Sequence, residues 1–119
     1  MYVIRAEQMQ VFVQAQRQRF EDYCADLILN HWADRYAGQD VAQIRSELRQ
    51  LLDAGSDWGF RTERQRYRLV NVAAYLGLGF QRQVGYVWAV KLLSDQSLAP
   101  EARIAAILYR NQPDGAQHA

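Results

Sequence analysis

The chain has one cysteine, two histidines, two prolines and a single lysine among its fourteen basic residues. Each scarcity excludes something. With Cys24 alone, no intrachain disulfide forms, which fits a reducing compartment. With His31 and His118 as the only histidines, and His118 close to the C-terminus, imidazole chemistry has little to draw on. His31 lies two helical turns after Cys24, but a zinc site needs three or four ligands and no others stand at a recognisable spacing. His31 therefore reads as the edge of a core stripe, and no metal or cofactor is expected. No apolar run approaches the ~18 residues that span a bilayer. The segment Met1–Arg5 has no signal-like core, because Glu7, Gln8 and Gln10 follow at once. The expectation is a cytoplasmic protein without a membrane role.

Sequence patterns for catalysis are missing as well. There is no Gly-x-Ser-x-Gly elbow, Walker loop, HExxH or GxGxxG. Leu76-Gly77-Leu78-Gly79 has two glycines, but no lysine or hydroxyl residue follows to engage phosphate, so it reads as an interhelical turn. Glu21 and Asp22 are adjacent, point in different directions on a helix and read as solvated. No enzyme is expected.

What the chain has is apolar mass. Of its 119 residues, 50% are hydrophobic and 12% aromatic. A chain of that length is one ordinary domain, able to bury roughly two thirds of its unfolded surface. No stretch alternates as a strand would, and helical periodicity runs throughout. The pattern predicts an all-α protein, a compact bundle of about five helices with the first one long. One domain spans 1–112, and 113–119 reads as a disordered tail.

The first helix is expected over about Ile4–Tyr36. Met9, Phe12, Val13, Phe20, Cys24, Leu27 and His31 share one face, interrupted by Gln16. Ala25, Leu29, Trp32 and Tyr36 form a second face near its end. Gly38 reads as a stop. The second helix is capped by Asp40, with Gln43 at capping-box spacing. It carries Val41, Ile44, Leu48, Leu51 and Leu52 and ends at Gly55. The third begins at Thr62 with Gln65 again at capping-box spacing and stops at Gly77. It is apolar over more than half its circumference, which marks a central helix. The fourth covers about Val84–Leu93, with Val84, Val87, Trp88, Lys91 and Leu92. The last starts at Pro100, a residue suited to the first helical position, and holds Ile104, Ala105, Ile107 and Leu108.

Three features suggest a partner. Leu29, Trp32 and Tyr36 are either core or a docking face. Trp58 and Phe60, in a connecting segment, are either core plugs or interface anchors. Arg61, Arg64 and Arg68 share one helix face and suit an acidic protein surface or phosphates. The net charge of +1 and an apolar following helix, unlike a recognition helix, disfavour nucleic acid.

Several stretches also carry a resemblance: Trp58-Gly59-Phe60-Arg61-Thr62-Glu63, Leu76-Gly77-Leu78-Gly79-Phe80, Trp88-Ala89-Val90-Lys91-Leu92-Leu93 and Pro100-Glu101-Ala102-Arg103-Ile104. In these, over roughly half its length, the chain resembles small helical proteins encoded beside type VI secretion effectors in proteobacteria. Those proteins neighbour PAAR-tipped toxins and their adaptor chaperones. Gln81 stands where that group often has aspartate, and Trp58 where it often has tyrosine. The resemblance implies a non-enzymatic accessory that binds an effector toxin or its adaptor chaperone, acting as a co-chaperone in effector loading. It brings no catalytic residues with it. An immunity protein against a cognate toxin is the alternative, and a small DNA-binding regulator is a more distant one. A homo-oligomer stays open.

Overall fold

The computed structural model describes residues 6–36 and 38–110. The expected helix start at Ile4 and the expected tail at 113–119 lie outside them. Among the described residues the protein is all-α, with no strand. The order is α1 (Ala6–His31), α2 (Ala33–Tyr36), α3 (Val41–Asp57), α4 (Glu63–Leu76), 3₁₀ turns at Phe80–Arg82 and Val84–Tyr86, α5 (Val87–Leu93) and α6 (Pro100–Arg110).

α4 is the central rod. It packs against α1, α3 and α6. It buries Leu69, Val70, Val72, Ala73, Ala74 and Leu76, the wide apolar face its sequence indicates. The capping box at its start is formed. Gln65 N–H donates to Thr62 Oγ1 at 3.1 Å, and Thr62 N–H donates to Gln65 Oε1 at 3.2 Å. Both bonds satisfy backbone donors that the first helical turn leaves open.

α3 starts as expected, with Ala42 N–H donating to the Asp40 carboxylate at 3.0 Å. Gln43 departs from the expected box: its amide donates to Glu47 at 3.2 Å, one turn on, instead of reaching back. Gly55 departs too. It is buried within α3, which continues to Asp57. A Cβ on Gly55 would lie 2.5 Å from Leu69 Cδ2, so the glycine sets the close approach of α3 to α4 and does not end a helix.

α1 breaks at Trp32 and resumes for one turn as α2. That turn carries Tyr36 into the core, where it is 4% exposed. Its hydroxyl donates to the Ala74 carbonyl at 2.9 Å and accepts from Leu78 N–H at 3.2 Å. Burial pushes its phenol above the usual range, as expected where the neutral form is favoured.

The expected fourth helix is shorter than its pattern. Val84 is 89% exposed in a 3₁₀ turn, Val87 is also exposed, and the residues α5 buries are Ala89 and Leu93. Val84-Gly85 brings a β-branched residue and a glycine with no side-chain cap, all poor helix starters. In α6, Ile104 and Ile107 are buried as expected, while Ala105 and Leu108 face outward.

The largest departure is in α1. Residues 8–19 are all exposed, including Met9, Phe12 and Val13 of the expected core stripe. Phe20 is the first residue of α1 packed on the core, and Cys24, Ala25, Leu27 and Ile28 follow as buried residues. Among the described residues, no other element covers the helix from residue 8 to residue 19. His31 is exposed as well and does not edge the core.

Candidate partner-binding surface

The charged side chains sort into two groups. The first holds the bundle together. Glu21 is 6% exposed and accepts twice from Arg49 Nε, at 3.1 and 3.0 Å. Arg45 lies 3.6 Å from Glu21 and also pairs closely with Asp22. The Arg45 guanidinium, with Gln18, holds the Asp22 carboxyl below its usual range. These carboxylates tie α1 to α3, which corrects the expectation that both are merely solvated. Sequence spacing along one helix could not show that α3 brings two arginines to them.

Glu47 of α3 is buried and pairs with Arg82 at 2.6 Å. This bridge lies against Gly79. At φ +87 this glycine occupies left-handed backbone, and a Cβ there would sit 3.0 Å from Glu47 Oε2 and 2.9 Å from Arg82 Nη2. Beside it is a cleft of about 270 Å³ lined by Arg35, Tyr36, Gln43 and Glu47 among others.

Arg103 of α6 is 3% exposed and forms no direct ion pair among the described residues, although the Asp95 carboxylate is near enough to feel its charge. Its guanidinium donates to three carbonyls: Trp58 at 2.7 Å, Leu98 at 2.8 Å and Leu93 at 2.9 Å. The Trp58 and Leu93 carbonyls stand at the C-terminal ends of α3 and α5, where helix dipoles favour a cation. The guanidinium carbon also lies 5.5 Å from the centroid of the Phe60 ring.

The second group is free. Arg61 and Arg64 are exposed, Arg68 is half-exposed, and none of the three has an acidic partner among the described residues. Arg64 and Arg68 stand one turn apart on α4, and Arg61 just precedes its cap. Beside them a groove runs between α1 and α4. One end, about 520 Å³, is lined by Gln16, Arg19, Phe20, Tyr23, Glu63, Arg64 and Tyr67. The other, about 240 Å³, is lined by Leu27, His31, Trp32, Tyr67 and Asn71. Aromatic rings line the groove: Tyr23 and Tyr67 meet at a tilt with centroids 5.8 Å apart, and Trp32 at the other end is backed by Tyr75 at 6.4 Å.

The candidate residues thus divide. Tyr36 and Phe60 are core and present no docking surface, because α4 and Arg103 cover them. Leu29, Trp32 and Trp58 are half-buried and packed on the core. Arg61, Arg64 and Arg68 remain at the surface, and the groove residues Phe20, Tyr23 and Tyr67 join them. Phe20 and Leu27 belong to the stripe that the sequence assigns to the core; Tyr23, three residues after Phe20 and four before Leu27, has the same helical spacing and was the signal available for it.

Cys24 is fully buried, and burial, with Glu21 and Glu63 nearby, pushes its thiol up to about 12. Only the thiolate reacts. The native protein is therefore expected to resist iodoacetamide at pH 8 for hours, while the urea-unfolded chain reacts within minutes. Rapid labelling of the folded protein would contradict this burial. The same shift favours the neutral thiol. Its contribution to stability is complete below the ordinary 9.0 and is lost as pH rises toward about 12.

Among the described residues, no group of three or more His, Cys, Asp or Glu could hold a metal. No described helix is long and apolar enough to cross a membrane. The fold and surface define an all-α bundle with an unpaired arginine row beside an aromatic groove. No family model, curated protein or solved structure matches the chain.

Proposed function

We propose that this protein is a non-catalytic binder of another protein, an accessory of type VI secretion that partners an effector toxin or its adaptor chaperone during loading. The observation that carries the reading is the division among the arginines. Arg45, Arg49 and Arg82 are paired and Arg103 donates to three carbonyls, while Arg61, Arg64 and Arg68 have no carboxylate among the described residues. A row of unpaired guanidiniums beside aromatic side chains suits an acidic partner segment. Arginine and aromatic residues are enriched where proteins meet, and complementary charge speeds and orients encounter. The secretion context rests on the sequence resemblance alone.

The test replaces Arg61, Arg64 and Arg68 together by glutamate. The side chains are outside the core, so the helical signal and unfolding midpoint are expected to stay near wild type. Capture of a secretion effector or adaptor from the native host is expected to fall at least tenfold, with the wild-type interaction weakening steeply as salt rises. Recovery of no secretion-related protein by the wild type would sink the proposal. Rescue of cells expressing a neighbouring toxin would instead select the immunity role, and salt-sensitive DNA binding at micromolar protein the regulator role.

A further inference from the structure

We propose that the protein is a two-fold homodimer in which the bare first half of α1 from each copy lies antiparallel along α1 of the other, in the groove beside α4. This goes beyond the secretion reading; the two share the groove between α1 and α4, so a second copy seated there and an acidic partner segment exclude each other.

The first observation is an uncovered stripe. Met9, Phe12, Val13, Gln16, Phe20 and Tyr23 fall within about 100° on the helix wheel. Met9 is 45% exposed, Phe12 55%, Val13 42% and Tyr23 56%. In a protein that buries twenty apolar side chains elsewhere, a line of large ones left in water marks an interaction face.

The second is that the stripe reads nearly the same in both directions. Reversed about Gln16, Met9 faces the partner's Tyr23 and Phe12 faces the partner's Phe20. Val13 faces the aliphatic stem of the partner's Arg19, and the two Gln16 amides meet on the axis. A closed two-fold interface requires this self-complementarity. A single polar residue at the centre of an apolar helix seam sets register.

The third is charge. No charged residue occurs from Gln8 to Gln16, in a chain where 23% of residues are charged. In the antiparallel register this uncharged stretch lies against the partner's Arg19 and Arg64, so the rod brings no charge of its own into the groove, and interface centres are depleted of charge.

The fourth is shape, which chooses the antiparallel arrangement. The first half of α1 is a bare rod, exposed at every residue from 8 to 19. The second half has beside it the groove of about 520 Å³ lined by Phe20, Tyr23, Arg64 and Tyr67. Antiparallel pairing puts each rod in the other copy's groove. Parallel pairing would set rod on rod and leave both grooves open. Covering the stripe, with the stems of Gln16 and Arg19, removes roughly 500 Å² per copy, about 1,000 Å² in all, which reaches the lower bound of specific interfaces. A micromolar dissociation constant is the matching strength.

Sedimentation equilibrium of the whole chain from about 1 to 100 µM, a range bracketing that constant, tests this. A monomer–dimer equilibrium is expected. Phe12→Glu is expected to weaken it at least tenfold while leaving the unfolding midpoint of the dilute protein unchanged, because Phe12 contacts no core element. Cysteine variants then fix the direction. Gln16→Cys is expected to form a disulfide-linked dimer readily. A mixture of Met9→Cys with Tyr23→Cys is expected to give the cross-linked heterodimer, and Met9→Cys alone to stay unlinked, since its two copies would be ~21 Å apart along the pair. The buried Cys24 thiol does not compete. A protein that stays monomeric at the highest concentration overturns the proposal. So does a Met9→Cys homodimer, which would report parallel helices, and so does unaltered association of Phe12→Glu.

Discussion

Replacing Arg103 by methionine is expected to cost about 3–5 kcal/mol of folding stability, because it leaves three carbonyls without their donor at about 1–3 kcal/mol for each one that stays unsatisfied. Methionine keeps much of the volume and none of the donors. The Trp58, Leu93 and Leu98 carbonyls that Arg103 now serves would lose their partner, two of them at helix ends that α6 otherwise holds together. Arg103→Lys is expected to recover less than half of the loss, because a single ammonium cannot match a planar fork that donates from two nitrogens. Urea unfolding at a concentration well below any self-association measures both, so that dimer formation does not add to the apparent stability. A loss below about 1 kcal/mol, the worth of an ordinary hydrogen bond, would show that Arg103 does not clamp these segments.

Phe60→Ala is expected to be comparably severe, about 3–5 kcal/mol for an aromatic ring removed from a close-packed site. Phe60 is fully buried, lies against the Gly55 turn of α3 and has Arg103 over its ring. The experiment also separates two roles. A docking anchor would keep its folding midpoint and lose its partner when truncated. Phe60 is expected to lose the midpoint first, with Phe60→Leu recovering most of it. Unchanged stability in Phe60→Ala would return the residue to the interface candidates.

The two substitutions bear on the same joint. α3, α5 and α6 meet where Trp58, Leu93 and Arg103 converge, and the ring of Phe60 fills the space beneath. Nothing in the segment Trp58-Gly59-Phe60 distinguishes a core plug from a surface anchor, because both need an aromatic residue near a turn. Arg103 was equally silent. In α6 it follows Pro100 by three positions like any surface arginine, and its acceptors come from residues 45 and 10 positions away.

The fold class was legible because it depends on local signals. Asp40 and Thr62 cap their helices through bonds to residues two or three positions on, and such short-range chemistry is complete within the sequence itself. The wide apolar circumference of α4 likewise required no neighbour to be named before its central place could be inferred. The misread elements share the opposite property. Gly55 has the composition of a helix stop, and only the approach of Leu69 shows it to be a packing contact. Met9, Phe12 and Val13 have the periodicity of core residues, and only the tertiary structure shows that no element among the described residues packs over them.

Local hydrogen bonding and periodicity therefore determined, from the sequence alone, that this chain is a set of amphipathic helices, where most of them begin, and that one is central. Which apolar faces find cover, which arginines meet a carboxylate and which stay free were decided by the tertiary structure. Burial and ion pairing depend on residues far apart in the chain, and no periodicity within one helix records what another helix brings to it.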